Sequence, residues 1–259
     1  MGRFRLYGVE PFTVVAVHGG PGAVGDMAPV AKRIAEYQGC IETLHTACTV
    51  DDQVNELREA IESHAHAPVS LVGHSWGAWL VFIFAARYPS LVKKAILIGS
   101  GPFEARFAAD IMQTRMNRLS EEEREEVRSL MQQFTAPSEA SRHVLSRFGK
   151  LLAKVDMYDP VEVEEDVTVR SDVYEGVWPR ASAMRESGEL LKLAASIVCP
   201  VVAIHGDYDL HPAAGVREPL SKTVRQYEFI LLKHCGHKPW IERRAQAQFH
   251  EILREQLKD

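Results

Sequence analysis

The octapeptide VGHSWGAW, residues 72–79, places Ser75 between two glycines at the point where an apolar strand pattern meets an apolar helix pattern. Glycine weakens both strands and helices, so a glycine on each side of the serine carries a cost in stability. The spacing Gly73-x-Ser75-x-Gly77 therefore predicts a sharp bend of the backbone at Ser75. Any fold that the chain adopts must supply a buried strand before this bend and a helix directly after it.

Short apolar segments alternate with longer helical patterns along the first hundred residues. The patterns predict strands over 12–17, 40–44, 68–73 and 94–98, and helices over 27–37, 51–64 and 78–88. Strands of this length separated by helices are typical of parallel βαβ units. The strands show no polar alternation, which is expected of a parallel sheet covered by helices on both faces.

The middle of the chain has a different character. No strand is predicted from 101 to 187, where charge density rises; Ser120 opens a capping box for a helix to Phe134, and Pro137-Ser138 starts another helix toward Val155. The α/β rhythm then resumes, with helices over 189–195 and 243–257 and strands over 200–205 and 226–232. The sequence predicts an α/β fold with a mostly parallel, doubly wound sheet from 1–100 and 188–259, and a helical cap inserted at 101–187.

Composition excludes several classes of function. The 259 residues carry a formal net charge of −5, so no basic surface indicates a nucleic-acid partner. No apolar run of about 18 residues predicts a membrane span. The four cysteines form no Cys-x-x-Cys pair, and no secretion signal is evident at the start, so we expect reduced thiols and a cytoplasmic protein. The sequence leaves open whether the chain forms a homo-oligomer.

Ser75 is a candidate nucleophile, and such a serine needs a base because its hydroxyl is weakly reactive near neutral pH. His237 lies in the polar segment HCGHKPW, directly after the predicted strand that ends at Leu232. Asp209 follows the preceding strand, in the segment HGDYDLHP, and would orient the imidazole. Asp207 is the alternative acid, although it follows its strand so closely that it could cap the turn instead. All these groups would lie at the carboxyl ends of parallel strands, where open α/β sheets place their sites.

A second glycine-rich segment, HGGPG at 18–22, follows the first predicted core strand. Its glycines allow the backbone to pass close to a ligand. The N–H groups of Gly20 and Trp76 would form an oxyanion hole beside Ser75. A phosphate-binding loop is the rival interpretation, but no Gly-Lys-Ser or Gly-Lys-Thr follows. We expect His18 to hold the loop in place.

Taken together, HGGPG, GHSWG, GDYD and GHKPW resemble the α/β-hydrolase superfamily, and they are most similar to its proline iminopeptidase-like branch. The order serine, acid, histidine along the chain is the order of that fold. The resemblance implies a small-molecule acyl substrate, no cofactor, and a site composed of the nucleophile Ser75, the acid Asp209, the base His237 and the oxyanion donors Gly20 and Trp76.

Three features depart from the family's pattern. Only about eleven residues precede the first predicted core strand, so we expect the usual leading antiparallel strands to be short or missing. His74 occupies an elbow position where the peptidase branch commonly has glycine. The glutamates that would bind a substrate amino group are not identifiable, with Glu164, Glu165 and Glu175 as candidates. The motifs therefore support the superfamily assignment, and they do not single out the peptidase branch.

Three functions follow as hypotheses. The leading one is a metal-independent serine hydrolase for an ester, amide or related acyl bond, with an aminopeptidase of the iminopeptidase type as its variant. The second is a metallohydrolase that uses alternate residues of one segment, His205, Asp207, Asp209 and His211. The third is a non-catalytic ligand-binding protein on a hydrolase fold. For the substrate pocket we expect Phe103, Trp178 and Trp240 to contribute.

Overall fold

The computed structural model describes residues 3–133, 139–162 and 167–258. In chain order, the strands are β1 Phe4–Tyr7, β2 Phe12–Val17, β3 Ala23–Val24, β4 Gly39–Thr43, β5 Val69–His74, β6 Val92–Ile98, β7 Thr168–Val169, β8 Val201–Gly206 and β9 Tyr227–Leu232. The α-helices are α1 Ala28–Ile34, α2 Val50–His64, α3 Trp76–Arg87, α4 Ile111–Arg118, α5 Glu121–Gln132, α6 Glu139–Asp156, α7 Ser171–Glu186, α8 Glu189–Lys192, α9 Ala214–Thr223 and α10 Gln246–Gln256. Short 3₁₀ segments lie at Pro89–Leu91, Ala105–Phe107, Leu193–Ser196 and Pro239–Ile241.

The main sheet has the strand order β1-β4-β2-β5-β6-β8-β9. Strand β1 runs antiparallel to β4, and the other neighbouring pairs are parallel. Strand β5 lies at the centre of the sheet, between β2 and β6. The predicted fold class, a mostly parallel sheet with helices, is confirmed.

Both faces of this sheet are covered by helices. Side chains alternate across β2. Val15 and Val17 belong to the core cluster on one face, which includes residues of α2, α3 and α9. Val14 and Ala16 belong to the cluster on the other face, which includes residues of α1 and α10. This double burial explains why the strands read as continuous apolar runs. Helix α3 is buried along nearly its whole length, in agreement with its apolar sequence.

The structure differs from the predicted elements in two places. The expectation of no strand between 101 and 187 was wrong, because β7 pairs with β3 in a small antiparallel ladder. A two-residue strand has no periodicity of its own, and its partner lies far away in the sequence. The N-terminal strand β1 also pairs in the main sheet, so one leading antiparallel strand is present. The predicted helix start at Pro137-Ser138 lies outside the described residues.

The helices of the proposed cap enclose a small hydrophobic cluster of their own. Val127 and Leu130 of α5 pack with Leu151 and Val155 of α6 and with Leu119, which lies between α4 and α5. By contrast, α7 packs its buried side chains into the main core. The division of the chain into core and cap therefore stays a proposal, with α7 as the element shared by both.

The bend at Ser75 is packed so tightly that both flanking glycines are required. A Cβ on Gly73 would lie 2.2 Å from the carbonyl oxygen of Gly77, and a Cβ on Gly77 would lie 2.3 Å from that of Val17. Ser75 itself has φ 54° and ψ −112°, a strained conformation for a residue with a side chain. The chain thus turns from β5 into α3 within one residue, directly against β2.

His18 fastens the loop that follows β2. Its Nδ1 donates to the carbonyl of Gly19 at 3.0 Å, and its Nε2 accepts the backbone N–H of His45 at 3.1 Å. Protonation of Nε2 would destroy the second bond, and the ring is fully buried. Burial, together with the neighbouring His45, lowers the pKa of His18 to about 4. The folded protein therefore holds a neutral imidazole here.

The described cysteines, Cys40, Cys48, Cys199 and Cys235, are free thiols, in agreement with the expected reduced state. Within the described ranges, no helix has both the length and the apolar character that crossing a membrane requires.

The packing of the bend predicts that Gly77→Ala destabilises the fold. A methyl group forced against the β2 backbone should lower the free energy of unfolding by about 3 kcal/mol or more. Gly149→Ala is the matched control, because this helical glycine faces open space and alanine should stabilise the helix by about 0.5–1 kcal/mol. Urea unfolding followed by circular dichroism measures both, and equal stability of the two variants would contradict the packing argument.

The neutral His18 predicts a loss of stability in mild acid. The pKa is depressed in the folded state, so the unfolded state binds more protons, and the contribution present above about pH 6.5 is lost as the pH falls toward 4. His18→Gln removes this titration and should reduce the loss over that range by about 3 kcal/mol. His66→Gln, at an exposed histidine, is the matched control. A parallel pH dependence in wild type and His18→Gln would contradict the prediction.

Candidate active site

A cavity of about 380 Å³ opens where the chain leaves β5, β8 and β9. The residues that line it come from the connections after β2, β5, β6, β8 and β9, from α3, α4 and α7, and from the segment before β7: Gly20, Pro21, Ala23, Asp26, His74, Ser75, Trp76, Trp79, Gly101, Pro102, Ile111, Arg115, Val167, Tyr174, Trp178, Arg185, His211, His237 and Lys238. A larger surface groove of about 850 Å³ lies beside α1 and α10, but its lining contains no serine or cysteine. The cavity at the strand ends is therefore the candidate site.

Asp209 and His237 are joined in this cavity by a hydrogen bond. Nδ1 of His237 donates to Oδ2 of Asp209 at 2.9 Å. The other oxygen, Oδ1, accepts the backbone N–H of His211 at 2.9 Å and the Nδ1 of its ring at 3.1 Å. His205 fixes this segment further, because its Nε2 donates to the carbonyl of His211 at 2.8 Å. The carboxylate is held on both sides, and His237 itself lines the cavity.

The electrostatics keep Asp209 ionised. Burial by itself would raise the pKa of this carboxyl, but attraction to His237 and His205 and hydrogen bonds from His211 and His237 hold it well below its usual range. Burial lowers the pKa values of His205 and His211. One anionic carboxylate therefore lies beside His205 and His211, whose burial favours the neutral form, and it contacts His237 as an acid that orients a base would.

The structure places the two candidate acids in different roles. Asp207 Oδ1 accepts the backbone N–H of Cys235 at 3.3 Å, and its Oδ2 lies 3.6 Å from Lys233 Nζ. Asp207 thus ties the turn after β8 to the loop after β9, and it is Asp209 that contacts His237.

The four residues of the metallohydrolase hypothesis do not converge. In the described part of the chain, the group that could hold a metal ion is Asp209, His211 and His237, with ligand atoms within 4.8 Å of one another. Both oxygens of Asp209 and the Nδ1 atoms of both histidines are already engaged in hydrogen bonds with each other. A metal at this point would have to break the bonds that hold His237.

A second buried carboxylate, Asp26, lies behind the bend. Its Oδ2 is 2.7 Å from Nδ1 of His74, and its Oδ1 is 2.6 Å from Nζ of Lys238. Nε2 of His74 lies 3.1 Å from the carbonyl oxygen of His237. Both ring nitrogens of His74 therefore lie within hydrogen-bond distance of acceptors. Burial would raise the pKa of Asp26, but Lys238 and His74 lower it below its usual range.

The two expected oxyanion donors both line the cavity. Gly20 has a positive φ of 38° in the loop after β2, and its carbonyl accepts the N–H of Ala23 at 2.9 Å, which closes the turn. Trp76 is the first residue of α3, where backbone N–H groups have no partner inside the helix. Its indole donates to Oε1 of Gln53 at 2.8 Å, so its side chain is anchored in the core.

Of the three aromatic residues expected in the pocket, Trp178 lines the cavity and the other two do not. Phe103 is fully buried in the main core, with its ring 4.9 Å from that of Phe82. Trp240 is also buried, and its ring meets that of His74 edge-on at 4.7 Å. Phe103 and Trp240 are therefore buried outside the cavity lining, which corrects the expectation that they contribute to the substrate pocket.

Several residues that line the cavity were not predicted from the sequence. Trp79 lies one helical turn after Trp76, and this spacing in α3 could have indicated it. Tyr174 and Arg185 belong to α7, a helix that the sequence patterns did not predict because Gly176 and Pro179 interrupt it.

Of the glutamates considered for binding a substrate amino group, Glu175 is the one that the structure describes. Glu175 is exposed and does not line the cavity. Glu164 and Glu165 lie outside the described residues. The acidic groups that do line it or meet its histidines, Asp26 and Asp209, already hold cationic or N–H partners.

Similarity to known proteins agrees with this architecture. The chain is 19% identical over 197 residues to a pimeloyl-[acyl-carrier protein] methyl ester esterase of Nitrosomonas europaea, covering 73% of this chain and 72% of that one. It is 25% identical over 104 residues, 35% of its length, to a cis-3-alkyl-4-alkyloxetan-2-one decarboxylase of Shewanella oneidensis, of which it spans only 33%.

Solved structures are similar over nearly the whole chain. The crystal structure of VinJ superposes with a TM-score of 0.69 at 18% identity, covering 98% of this chain and 93% of that one. A proline iminopeptidase of Mycobacterium smegmatis superposes with a TM-score of 0.63 at 15% identity, covering 98% and 93%. At these identities the likeness shows the fold alone. Residues 13–243 match the family described as alpha/beta hydrolase fold, and the chain therefore belongs to the alpha/beta hydrolase family.

Proposed function

We propose that this protein is a serine hydrolase that cleaves an ester or related acyl bond of a small molecule. The observation that carries the proposal is the 2.9 Å bond between Asp209 and His237 in a cavity that Ser75 also lines. Membership of the alpha/beta hydrolase family supports a hydrolytic reaction. The esterase among its relatives supports an ester as the bond attacked.

In the first half of the proposed reaction, Ser75 Oγ attacks the acyl carbon while Nε2 of His237 takes the hydroxyl proton. Asp209 accepts the Nδ1–H bond and stabilises the imidazolium that forms. The N–H groups of Gly20 and Trp76 would donate to the oxyanion of the tetrahedral intermediate. His237 then returns the proton to the leaving alcohol, and the acyl group remains on Ser75.

In the second half, water attacks the acyl-enzyme and His237 again acts as the base. The proton taken from water passes to Ser75 Oγ as the acid product leaves, so the enzyme is restored with one water consumed. No step needs a metal or an organic cofactor.

An aminopeptidase would need an anionic group for the substrate's amino terminus. In the described part of the cavity each acidic lining residue is paired, since Asp26 contacts both His74 and Lys238. Arg185 adds a positive charge to the lining, whereas Arg115 and Lys238 are paired with Asp156 and Asp26. This balance favours an ester over a substrate with a free amine.

Activity-based labelling tests the proposal directly. A fluorophosphonate probe should label the wild-type protein, and Ser75→Ala should abolish the label. Ser221→Ala, at an exposed serine of α9, is the control that should label normally. Equal labelling of wild type and Ser75→Ala would overturn the assignment, and wild type that neither labels nor cleaves p-nitrophenyl esters would favour a binding protein.

The two aspartates after β8 give a matched pair of variants. Asp209→Asn removes the acceptor that orients His237 and should lower kcat/KM for p-nitrophenyl butyrate by roughly three to four orders of magnitude. Asp207→Asn changes the turn contact to Cys235 and the surface ion pair with Lys233, both away from His237, and should lower kcat/KM less than about tenfold. Comparable losses in both variants would contradict the assignment of Asp209.

A further inference from the structure

Helix α7 presents two different stripes of side chains. Val173, Val177, Ala181 and Met184 recur at helical spacing and are buried in the main core. Tyr174, Trp178 and Arg185 each follow one of these core residues by one position, and all three line the cavity. The helix is therefore fixed on one side by the core, and the neighbouring stripe forms a wall of the candidate site.

This wall is aromatic. The ring of Trp178 lies nearly parallel to that of Tyr174, with centroids 5.9 Å apart and an interplanar angle of 12°. Trp178 is likewise parallel to Trp79 of α3, at 6.1 Å and 7°. Three flat rings in this arrangement suit an apolar or aromatic part of a ligand.

Arg185 lies at the end of this wall. Its guanidinium carbon is 5.7 Å from the ring centre of Trp79 and 5.9 Å from that of Trp178. Its Nη2 donates to Ser182 Oγ at 3.0 Å, and its buried Nε has no hydrogen-bond partner. The adjacent Glu186 accepts a bond from the same Ser182 hydroxyl instead of pairing with the guanidinium.

The other cations that line the cavity are neutralised. Arg115 forms a two-pronged pair with Asp156, at 2.9 and 2.7 Å, and Lys238 pairs with Asp26 at 2.6 Å. No carboxylate in the described ranges makes an ion pair with Arg185. Burial lowers the pKa of Arg185, which records the cost of its desolvated charge, but an arginine keeps its proton in proteins.

We propose that Arg185 binds an anionic group of the substrate, a carboxylate in the simplest case, while the substrate's apolar part lies against Tyr174, Trp178 and Trp79. A guanidinium presents donors in a planar fork that matches a carboxylate, and a half-buried cation without an acidic partner gains most from such a ligand. The proposal builds on the serine hydrolase function and specifies its substrate class, an acyl compound that carries a negative charge.

The same geometry predicts discrimination between charges. A substrate with an amine at this end would meet Arg185 and the paired cations with no free carboxylate in the described lining. An anionic substrate would give the guanidinium of Arg185 the ionic partner that the described residues do not supply. Selectivity should therefore fall in the order anionic, neutral, cationic for acyl compounds of equal length.

A binding experiment tests the anion site without requiring catalysis. Titration of tryptophan fluorescence with 4-phenylbutyrate and with 4-phenylbutyramide compares an anion with its neutral isostere. Wild type should bind the carboxylate about tenfold or more tightly, because hydrogen bonds to charged groups exceed neutral ones by this order. Arg185→Gln should remove the preference and Arg185→Lys should retain part of it.

Arg180→Gln is the matched control on the same helix, since Arg180 is exposed, pairs with Glu189 and does not line the cavity. It should keep the wild-type preference. Equal binding of the two compounds by wild type, or a preference that persists in Arg185→Gln, would overturn the proposal. Circular dichroism of each variant verifies the fold.

A kinetic comparison separates this proposal from the serine hydrolase function. The ratio of kcat/KM for mono-4-nitrophenyl glutarate to that for 4-nitrophenyl butyrate should fall about tenfold in Arg185→Gln and stay constant in Arg180→Gln. Hydrolysis of both esters without that change in ratio would overturn the anion site and leave Ser75 in its role. If the wild-type protein is not labelled by the fluorophosphonate but still prefers the carboxylate, the serine hydrolase function is overturned and the anion site stands.

Discussion

The contact of backbone on backbone at the bend is the constraint on which the site depends. Gly77 packs its Cα against the carbonyl of Val17, and Gly73 packs against Gly77, so β2, β5 and the start of α3 meet without an intervening side chain. This approach leaves Ser75 in a strained conformation at the end of the central strand. It also places Trp76, the first residue of α3, in the cavity lining, where its backbone N–H is the proposed oxyanion donor.

Two buried carboxylates then fix the loops around the bend. Asp209 holds His237 from one side, while Asp26 holds the next residue, Lys238, from the other. His74 joins the two networks because it contacts Asp26 and also the carbonyl of His237. The loop after β9 is thus held at adjacent residues by separate anions, and the ring of His237 has little freedom to leave its place. The positioning of an imidazole by buried ionic partners is the kind of preorganisation that catalysis by a base requires.

The sequence predicted the elements that repeat a local pattern and missed those that depend on distant partners. The apolar runs of β2 and β5 indicate buried strands by themselves, and the glycines around Ser75 indicate the bend, because these constraints act within a few residues. The pairing of β3 with β7 has no local signal. Aromatic residues are ambiguous in the same way: Phe103 and Trp178 read alike in sequence, but only the packing of α7 sends the second into the cavity. The side chain of Arg185 is likewise distinguished from that of Arg180 only by the face of α7 on which each lies.

The division of labour within the fold follows from these packing relations. The proposed chemical groups stand on connections at the carboxyl edge of the sheet, which buried backbone contacts hold in place. The groups proposed to select the substrate stand mainly on α7, whose core stripe, from Val173 to Met184, is fixed while its neighbouring stripe faces the cavity. A substitution at Arg185 therefore changes the cavity wall while the buried core stripe of the helix stays unchanged. Because Arg185 gains an ionic partner only when a ligand supplies one, the charge of the ligand, more than its shape, should decide which acyl compound binds beside Ser75.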